Sequence, residues 1–285
     1  MKFVFFGTPE FAAIILEKLI NAGFIPQAVV CNPDKPAGRK KIITPPPVKK
    51  LLIEKFKDYK IKILQPEKFD NYLITQLLNY QTDIFIIAAY GQIIPEKMLK
   101  IPRLGSIGVH PSLLPKYRGP SPIQSAILNG EEETGATLFL MDEKIDNGPI
   151  IAQRKLEFSI SNFQFAKLQR ELAMLSANLL IETLPNIEEK IKNAKPQDKS
   201  QAIFTKKFKT EDAFIKPSDL EKAQRQGEEI AQKIDRKIRA FNPEPGAWTI
   251  IEKKRVKFLE AKMQETKLKL VKIQVEGKKP QILSK

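Results

Sequence analysis

Apolar runs alternate with stretches of helical periodicity along the first two thirds of the chain. Residues 2–7 form a continuous apolar run that ends in glycine, which is typical of a strand buried on both faces of a sheet. Residues 9–23 repeat apolar positions at the helical spacing, beginning near a proline and stopping at a glycine. A second apolar run follows at residues 26–32. The chain is therefore expected to open with a strand, a helix and a second strand.

The same alternation continues further along the chain and predicts the fold class. Strands that alternate with helices favour an α/β fold with a wound, mostly parallel sheet. The run at 149–158 alternates apolar and polar positions more than the others do, so we place this strand nearer an edge. The other predicted elements are a helix over 70–81, buried strands over 83–91, 106–110 and 136–141, and a mainly helical segment over 162–191 with a break at Pro185.

The composition changes near the end of this alternating part. Residues 1–190 are expected to form the first domain, and the polar segment 191–204 is expected to be a linker. Residues 205–285 hold 21 basic and 12 acidic residues, a balance of +9 out of +15 for the whole chain. A basic amphipathic helix over 219–241, interrupted by Gly227, precedes short alternating strands. The third segment is therefore predicted to be a small basic domain with a helix and several strands.

The charge and the rare residues narrow the classes of function. A net charge of +15 favours a polyanionic partner, nucleic acid first, although lysines that only solvate the surface would give the same balance. One cysteine and one histidine argue against a disulfide and against a metal site. The N-terminus lacks a signal-peptide pattern and no apolar run has the length of a membrane span, so a cytoplasmic protein is expected. The dinucleotide-binding motif G-x-G-x-x-G and the phosphate-binding motif G-x-x-x-x-G-K-[ST] are both absent from the sequence, which argues against an NAD or ATP enzyme.

The most reactive candidate lies at the end of one predicted strand. The run 106–110 ends at His110, the only histidine of the chain. Ligands bind beyond the carboxyl ends of strands in an open parallel sheet. The turn-rich loop after the 136–141 strand offers Asp142 and Asp146 to the same edge, where a carboxylate would orient the imidazole and stabilise its charged form. The residues alone support a catalytic histidine and a packed loop histidine about equally.

The segment 32–50 is a second unusual feature. It is predicted to be a mobile, strongly basic loop that follows the second strand. Flexible cations on an exposed loop suit phosphate contacts. A solvated loop without a partner would have the same sequence.

Six sequence blocks and their order along the chain resemble the methionyl-tRNA formyltransferase family. The resemblance extends from residue 1 to about residue 260. Enzymes that formylate small amines share the HPSLLP block and the aspartate loop, but not usually PDKPAGR, YRGPSPIQ or RAFNP. The six blocks are FFGTPEFA, NPDKPAGR, AAYGQIIP, SIGVHPSLLPKYRGPSPIQSAILNG, TGATLFLMDEKIDNGPII and IRAFNPEPGAW.

The resemblance implies a fold, two substrates and a set of site residues. The N-terminal domain would be a formyltransferase Rossmann-like fold, and the C-terminal domain would be an OB-like β-barrel. The formyl donor would be 10-formyltetrahydrofolate, the acceptor would be the methionine amine of initiator methionyl-tRNA, and no metal would take part. The enzyme would work as a monomer away from membranes. Carried over by motif, the catalytic residues are His110 and Asp146, with Gly108 at the family's asparagine position; the folate contacts are Gln92, Ile93, Ile94, Ser112, Leu113, Leu114, Pro115 and Asp142; the tRNA contacts are Arg39, Lys40, Lys41, Lys206 and Lys207.

Two features depart from the family pattern. The family asparagine donates to the formyl oxygen, and Gly108 has no side chain to do so. Loss of one such donor typically costs roughly 10²–10³ in rate, so Gly108→Asn should gain about 10²-fold if nothing replaces the amide. A water held by Ser106, or the amide of Asn147, are the replacements that we expect. The second departure is a shorter C-terminal segment, which predicts a barrel that lacks a strand or two and has an open edge.

Two other functions stay open at this point. One is a folate-dependent formyltransferase that acts on a small amine, which the basic loop and the basic C-terminal segment disfavour. The other is a tRNA-binding protein with weakened catalysis, which Gly108 favours and the pair of His110 and Asp146 disfavours.

Overall fold

The computed structural model describes residues 1–38, 40–157, 159–225 and 227–283. Contacts between residues divide the chain into two compact units. The predicted domains are continuous in sequence, with bounds at 190 and 204, and these bounds stay a prediction. The two units are not continuous in sequence, because the contacts group two earlier segments with the C-terminal residues. The first unit comprises Met1–Gly119, Gly135–Leu156 and Arg170–Phe204, and the second unit comprises Pro120–Thr134, Glu157–Gln169 and Thr205–Lys285.

The first unit is built around a seven-stranded sheet. Its strands are β1 (Phe3–Gly7), β2 (Ala28–Val30), β5 (Lys62–Leu64), β6 (Ile84–Ala88), β7 (Ser106–His110), β8 (Gly135–Leu140) and β9 (Ile150–Lys155). The order across the sheet is β5-β2-β1-β6-β7-β8-β9. The first five strands in this order run parallel, and β8 and β9 are antiparallel to their neighbours. The predicted mostly parallel sheet is confirmed, and β9 lies at an edge as its alternating pattern indicates.

The continuous apolar runs explain why this sheet is the core of the first unit. All five residues of β1, β6 and β7 are buried. Side chains alternate between the two faces of a strand, so a strand buried throughout must be covered on both faces. Helices of the chain are α1 (Glu10–Asn21), α2 (Pro47–Lys55), α3 (Asn71–Asn79), α4 (Glu96–Leu99), α5 (Pro122–Asn129), α6 (Phe165–Thr183), α7 (Ile187–Lys192), α8 (Pro217–Arg225) and α9 (Glu228–Phe241).

The basic segment 32–50 contains secondary structure that the pattern did not predict. Strands β3 (Lys35–Ala37) and β4 (Ile42–Thr44) pair as an antiparallel hairpin, which forms a sheet of its own. All six of these strand residues are exposed. Helix α2 begins shortly after the hairpin, with Pro47 in its first turn. The hairpin has no buried apolar face, and this explains why hydrophobic periodicity cannot reveal it.

The C-terminal part of the second unit is a sheet packed on two helices. Strands β10 (Ala247–Ile251), β11 (Lys254–Gln264), β12 (Lys267–Val275) and β13 (Gln281–Ile282) form an antiparallel sheet in chain order. This agrees with the predicted small basic β domain. Within the described residues β10 and β13 do not pair with each other, so the sheet is open rather than closed into a barrel. Closure needs enough tilted strands to bring the two edges together, and this sheet has four.

One predicted helix is two helices in the structure. Gly227 has a φ of +93°, a conformation that side-chain-bearing residues rarely adopt, and it separates α8 from α9. The apolar stripe of α9 places Ile234 and Ile238 in one core with Phe258 of β11. Helix α5 packs on α9, which brings an early segment of the chain into the second unit. None of the described helices combines the length and the apolar character needed to cross a bilayer.

Candidate functional site

The candidate site lies at the carboxyl end of β7, in the first unit. Strands β1, β6 and β7 are neighbours in parallel order, so their carboxyl ends meet at one edge. His110 is the last residue of β7 and is 6% exposed. The sequence-predicted position at a strand end is therefore where the structure has it, and ligands of such sheets bind at this edge.

Both ring nitrogens of His110 face oxygen atoms. Nε2 lies 2.8 Å from the carbonyl oxygen of Tyr117. A carbonyl only accepts hydrogen bonds, so Nε2 carries a proton and donates it. Nδ1 lies 3.5 Å from Oδ2 of Asp146, an ion-pair distance when this nitrogen is protonated as well. An acceptor oxygen thus lies beside each ring nitrogen.

Asp146 is held in place by its own backbone and by two buried side chains. Its φ is +47°, in the left-handed region, and its Oδ2 accepts a 2.7 Å hydrogen bond from the backbone N–H of Gly119. Nε2 of Gln197 donates to the carbonyl oxygens of Asp146 at 2.9 Å and Gly148 at 2.8 Å. The Arg118 guanidinium donates from Nε and Nη2 to Oε1 of Gln197, at 3.1 and 2.7 Å. These contacts fix the carboxylate that faces His110.

Sequence reasoning missed the two residues that support this loop. Arg118 is 3% exposed and Gln197 is 8% exposed. Arg118 belongs to the block that carries the family resemblance, so its position next to the HPSLLP motif was a usable signal. Gln197 falls in the polar segment that we predicted to be a linker, and nothing in the local pattern distinguishes it. A buried glutamine in a polar run is visible only in the structure.

The rest of the aspartate loop is also tied together. Nη1 of Arg118 donates to Oδ1 of Asn147 at 3.1 Å, and Nδ2 of Asn147 donates to Oδ2 of Asp142 at 2.8 Å. The other oxygen of Asp142 accepts from the backbone N–H of Lys144 at 2.9 Å. At Gly148 an added Cβ would lie 1.7 Å from the carbonyl oxygen of Leu140, so the loop can return to the sheet only with glycine there. The hydrogen bond to Asp142 uses one of the two amide hydrogens of Asn147 within the loop.

Gly108 has no space for a side chain. It is paired with Phe139 across β7 and β8, and an added Cβ would lie 2.4 Å from both Cε1 and Cζ of that ring. Phe139 is 2% exposed, so the ring has little room to move away. The aromatic ring therefore occupies the volume that a side chain at position 108 would need. This changes the expectation that Gly108→Asn alone gains rate, because the amide cannot enter without displacing Phe139.

Ser106 is not suited to hold a water near the formyl group. The residue is 1% exposed, and its hydroxyl donates a 2.8 Å hydrogen bond to the carbonyl oxygen of Leu99. It also lies at the start of β7, four positions before His110, or roughly 13 Å at the usual rise of a strand. The replacement of the family amide by a Ser106-bound water gains no support from this arrangement.

The residues carried over for folate binding fall into three environments. Gln92 donates from Nε2 to Oδ1 of Asn32 at 2.7 Å, and Ile93 is 89% exposed. Ile94 is buried in the core beside α4. Ser112 and Leu114 are buried, whereas Leu113 and Pro115 are half-buried. Gln92, Ile93 and Ile94 follow β6 and residues 112–115 follow β7, so these seven lie beyond the carboxyl ends of parallel strands. Asp142 instead follows β8, which runs antiparallel to β7, and the backbone N–H of the preceding Met141 donates to the carbonyl oxygen of Ser106 at the start of β7. Only part of the set has a side chain open to a ligand.

Ser112 and Leu114 serve the loop itself. The Ser112 hydroxyl donates to the carbonyl oxygen of Lys116 at 2.6 Å, and the Thr137 hydroxyl donates to the carbonyl oxygen of Ser112 at 2.6 Å. The backbone N–H of Leu114 donates to Oγ1 of Thr137 at 3.2 Å, while Gln153 donates to the Leu114 carbonyl oxygen at 2.9 Å. The loop after His110 is thus fastened to β8 and β9, next to the site.

A cavity of about 530 Å³ opens beside the loop that carries Asp142. Ligand sites commonly have volumes of roughly 300–1,000 Å³, so a small organic molecule would fit. Asp142 and Asn147 belong to its lining, whereas Gln92, Ile93 and Ile94 are outside the described lining. Its apolar wall includes Leu99, Leu140 and Met141.

Neither a metal nor a reactive thiol is indicated at this site. Across residues 1–38, 40–157, 159–225 and 227–283, no three His, Cys, Asp or Glu side chains converge as metal ligands. Burial raises the pKa of the Cys31 thiol to about 12. The thiol is therefore protonated at neutral pH and is a poor nucleophile.

The predicted tRNA contacts lie on two surfaces. Arg39 lies outside the described residues, and Lys40 and Lys41 are exposed between β3 and β4. In the second unit Lys206 forms an ion pair with Asp212, so part of its charge is compensated, and Lys207 is exposed.

A further basic surface was not identified residue by residue from the sequence. On β11 and β12 the cations alternate with residues of the second unit's core. The guanidinium of Arg255 lies 4.1 Å from the ring centroid of Trp248 on β10. Alternation within the two strands was the signal that could have separated this basic face from the buried one. The lysines of the two strands are Lys254, Lys257, Lys262, Lys267, Lys269 and Lys272.

Comparisons with known proteins agree with this architecture. Residues 1–184 match the family described as formyl transferase, and residues 228–271 match the one described as formyl transferase, C-terminal domain. The methionyl-tRNA formyltransferase of Staphylococcus aureus strain MW2 is 41% identical over 266 residues, which cover 93% of this chain and 80% of the relative.

Two solved structures share the fold at lower identity. The methionyl-tRNA formyltransferase from Clostridium thermocellum superposes with a TM-score of 0.58 at 20% identity, covering 96% of this chain and 98% of that one. The N-formyltransferase from Helicobacter canadensis, in complex with folinic acid and dTDP-3-aminofucose, has a TM-score of 0.63 at 20% identity and covers 93% of this chain and 88% of that one. At this identity the likeness concerns the fold.

Proposed function

Since the chain belongs to the methionyl-tRNA formyltransferases, a family of formyl-transferring enzymes, we propose that it moves the formyl group of 10-formyltetrahydrofolate to the methionine amine of initiator methionyl-tRNA. The observation that carries the proposal is the pair of His110 and Asp146 at the carboxyl end of β7. The product would be the formylated initiator that begins translation.

The reaction needs stabilisation of a negative charge and movement of one proton. The amine nitrogen attacks the formyl carbon, its new C–N bond forms, and the carbonyl electrons move onto the formyl oxygen. The bond from carbon to the donor nitrogen then breaks, the amine loses a proton, and the leaving nitrogen gains one. Fixed charges and donors aimed at the developing oxyanion are the largest single contribution in many enzymes.

We assign charge stabilisation to His110, with Asp146 as the group that positions it. The Tyr117 carbonyl oxygen accepts from Nε2 of the ring, and Oδ2 of Asp146 lies 3.5 Å from Nδ1. To give a proton directly to the leaving nitrogen, the ring would first have to break the hydrogen bond to Tyr117. The arrangement therefore supports a stationary positive charge better than a shuttling proton.

The lack of a side chain at position 108 increases the dependence on His110. The ring of Phe139 fills the place of the family amide, and Asn147 already uses one of its amide hydrogens on Asp142. The remaining hydrogen of Asn147 is a candidate donor to the formyl oxygen. The positive charge of His110 is the principal stabilising group in this proposal.

A folate donor agrees with the chemistry of the surrounding surface. Ile93 and Ile145 are 89% and 62% exposed on two segments at this edge, where an aromatic ring system would cover them. Exposed large apolar side chains at such an edge favour a ligand with a flat apolar face. The folinic acid bound by the Helicobacter canadensis enzyme has the same chemical class as the proposed donor.

The acceptor would be bound by the basic hairpin and the basic face of β11 and β12. Residues 205–285 carry 21 cations and 12 carboxylates, which leaves 21 − 12 = +9. Such a surface attracts the phosphates of a tRNA without reading its sequence. The cytoplasmic location and the monomeric state stay predictions.

A formylation assay tests the proposal against its alternatives. The purified protein is mixed with 10-formyltetrahydrofolate and either methionyl-tRNA of the initiator type or a nucleotide-linked amino sugar, and formylated product is measured by mass spectrometry. We expect turnover with methionyl-tRNA as the acceptor and none with the amino sugar. Turnover with the amino sugar alone would identify a small-amine enzyme, and tRNA binding without turnover would identify an RNA-binding protein; either result overturns the proposal.

A further inference from the structure

Four polar side chains form a cluster at the base of the β3–β4 hairpin. The cluster consists of Asn32, Asp34, Lys49 and Gln65, and we name it the hairpin anchor. Asp34 directly precedes β3, and Lys49 lies in the first turn of α2 after β4. Nζ of Lys49 donates to Oδ1 and Oδ2 of Asp34 at 2.9 and 2.8 Å. The ion pair therefore joins the two ends of a segment whose strands are fully exposed.

Gln65 fastens this ion pair to the main sheet. It follows β5, the edge strand of the seven-stranded sheet. Its Oε1 accepts from Lys49 at 2.7 Å, and its Nε2 donates to Oδ1 of Asp34 and to the carbonyl oxygen of Asn32, both at 2.8 Å. Both amide hydrogens of Gln65 are thus used, and the hairpin base has a fixed position relative to β5.

Asn32 extends the contacts to the segment proposed to bind the donor. Its Nδ2 donates to the carbonyl oxygen of Tyr90 at 3.3 Å, and its Oδ1 accepts from Nε2 of Gln92 at 2.7 Å. Its backbone N–H donates to Oγ1 of Thr8 at 3.2 Å, and that hydroxyl donates to the same Tyr90 carbonyl oxygen at 3.2 Å. A continuous series of hydrogen bonds therefore runs from the hairpin base to the residues after β6.

Lys49 differs from the other lysines of this basic segment. An ammonium has three hydrogens, and the three contacts of Lys49 within the anchor use all of them. Its side chain is 22% exposed and that of Asp34 is 29% exposed. The hydrogen bond from Lys49, followed by the one from Gln65, lowers the pKa of the Asp34 carboxyl, which favours its ionised form. The ammonium of Lys49 therefore makes its hydrogen bonds within the protein, whereas Lys40 and Lys41 are exposed to solvent.

We propose that the hairpin anchor is a positioning device for the acceptor. It sets the direction in which the exposed hairpin leaves the sheet, so that a tRNA held by Lys40 and Lys41 presents its amine to the formyl site beside Gln92. This rests on the proposed function, since it presumes that methionyl-tRNA is the acceptor. A misplacement of about 1 Å far from the chemistry can lower the rate roughly 10²-fold, which gives such an anchor its value.

The test compares two lysines of the same helix. Lys49→Met removes the anchor cation, whereas Lys55→Met removes a cation of α2 that pairs with Glu17 on α1. Each variant lowers the net charge equally and breaks one ion pair. We expect Lys49→Met to lower kcat/KM for methionyl-tRNA about tenfold, equivalent to about 1.4 kcal/mol, with KM for 10-formyltetrahydrofolate changed less than twofold. Lys55→Met should leave both values unchanged.

A salt titration separates positioning from a direct phosphate contact. Each lost phosphate contact reduces the slope of log affinity against log salt by about 0.9. Lys49→Met should keep the wild-type slope, and Lys49→Arg, which preserves the pair, should restore most of the tRNA affinity. Asp34→Asn should act in the same direction as Lys49→Met and serves as the second variant if Lys49→Met folds poorly by circular dichroism.

The outcomes distinguish the anchor from the proposed function. A wild-type protein that does not formylate methionyl-tRNA contradicts the function. If the wild-type protein does formylate methionyl-tRNA, two results overturn the positioning role alone. One is equal kcat/KM values for Lys49→Met and Lys55→Met, and the other is a salt slope of Lys49→Met reduced by about one.

Discussion

The His110 corner and the β3–β4 hairpin lie in the same unit and are built in opposite ways. The corner consists of His110, Tyr117, Asp146 and Gln197, and its polar atoms are paired within the fold. In the hairpin all six strand residues are exposed, and Ile42 and Ile43 are 62% and 63% exposed. One region encloses its polar atoms, and the other exposes cations and apolar side chains to solvent.

The difference reflects what each region has to do. A charge that stabilises an oxyanion must have its direction set before the reaction, because reorganisation at that moment costs rate. Cations that bind phosphates gain from reach and need no fixed geometry of their own, since most of their energy comes from counterion release. Hydrogen bonds within the fold therefore fix the corner and the base of the hairpin, whereas Lys40 and Lys41 stay exposed to solvent.

Removal of the imidazole should give the largest effect and the sharpest contrast. His110→Ala is expected to lower kcat by about 10³-fold, within the range of lost oxyanion and proton-transfer groups. KM for methionyl-tRNA should stay within about threefold, because the hairpin is untouched. Steady-state kinetics measure both quantities. A His110→Ala enzyme with nearly wild-type kcat would show that the corner is structural.

The packing of Gly108 against Phe139 gives the second prediction. Gly108→Asn should lower the free energy of unfolding by about 1–3 kcal/mol, because overpacking a tight site costs that much. It should also fail to raise kcat/KM. The combination of Gly108→Asn with Phe139→Leu opens space for the amide and should exceed the Gly108→Asn single variant in kcat/KM by about tenfold or more.

Phe139→Leu alone is the control for the double variant. Urea unfolding of the three variants separates stability from rate. A Gly108→Asn enzyme that is both stable and faster than wild type would mean that the ring of Phe139 moves aside, and the steric argument would fail.

The hairpin lysines should give the smallest effect, and one of a different kind. Replacing Lys40 and Lys41 together with alanine should raise KM for methionyl-tRNA several-fold and reduce the salt slope by about one to two. Stability should change by less than about 0.5 kcal/mol, as for other exposed positions. Thermal unfolding and KM at three salt concentrations are sufficient. A fall in kcat with an unchanged salt slope would mean that these lysines act in the chemical step. The hairpin and the His110 corner would then not differ in role.

Much of the fold follows from local pattern. The strands β1, β6 and β7 and the helix α1 are long apolar runs and periodic segments, and their types and approximate bounds agree with the prediction. The hairpin was missed because exposed strands leave no hydrophobic period. The split between α8 and α9 was foreshadowed by Gly227, whose backbone conformation only the structure gives.

The sequence by itself determined the alternation of strands and helices that gives the mostly parallel sheet, and the position of His110 at a strand end, because each is encoded by neighbouring residues. It offered Asp142 and Asp146 as candidate carboxylates, and the family resemblance selected Asp146. The tertiary structure alone decided that Phe139 fills the space at Gly108 and that Gln197 supports the aspartate loop. The physical reason is the same in both cases. The pairing of β7 with β8, and the burial of a polar segment against a distant loop, depend on how remote parts of the chain pack, and no local pattern records that.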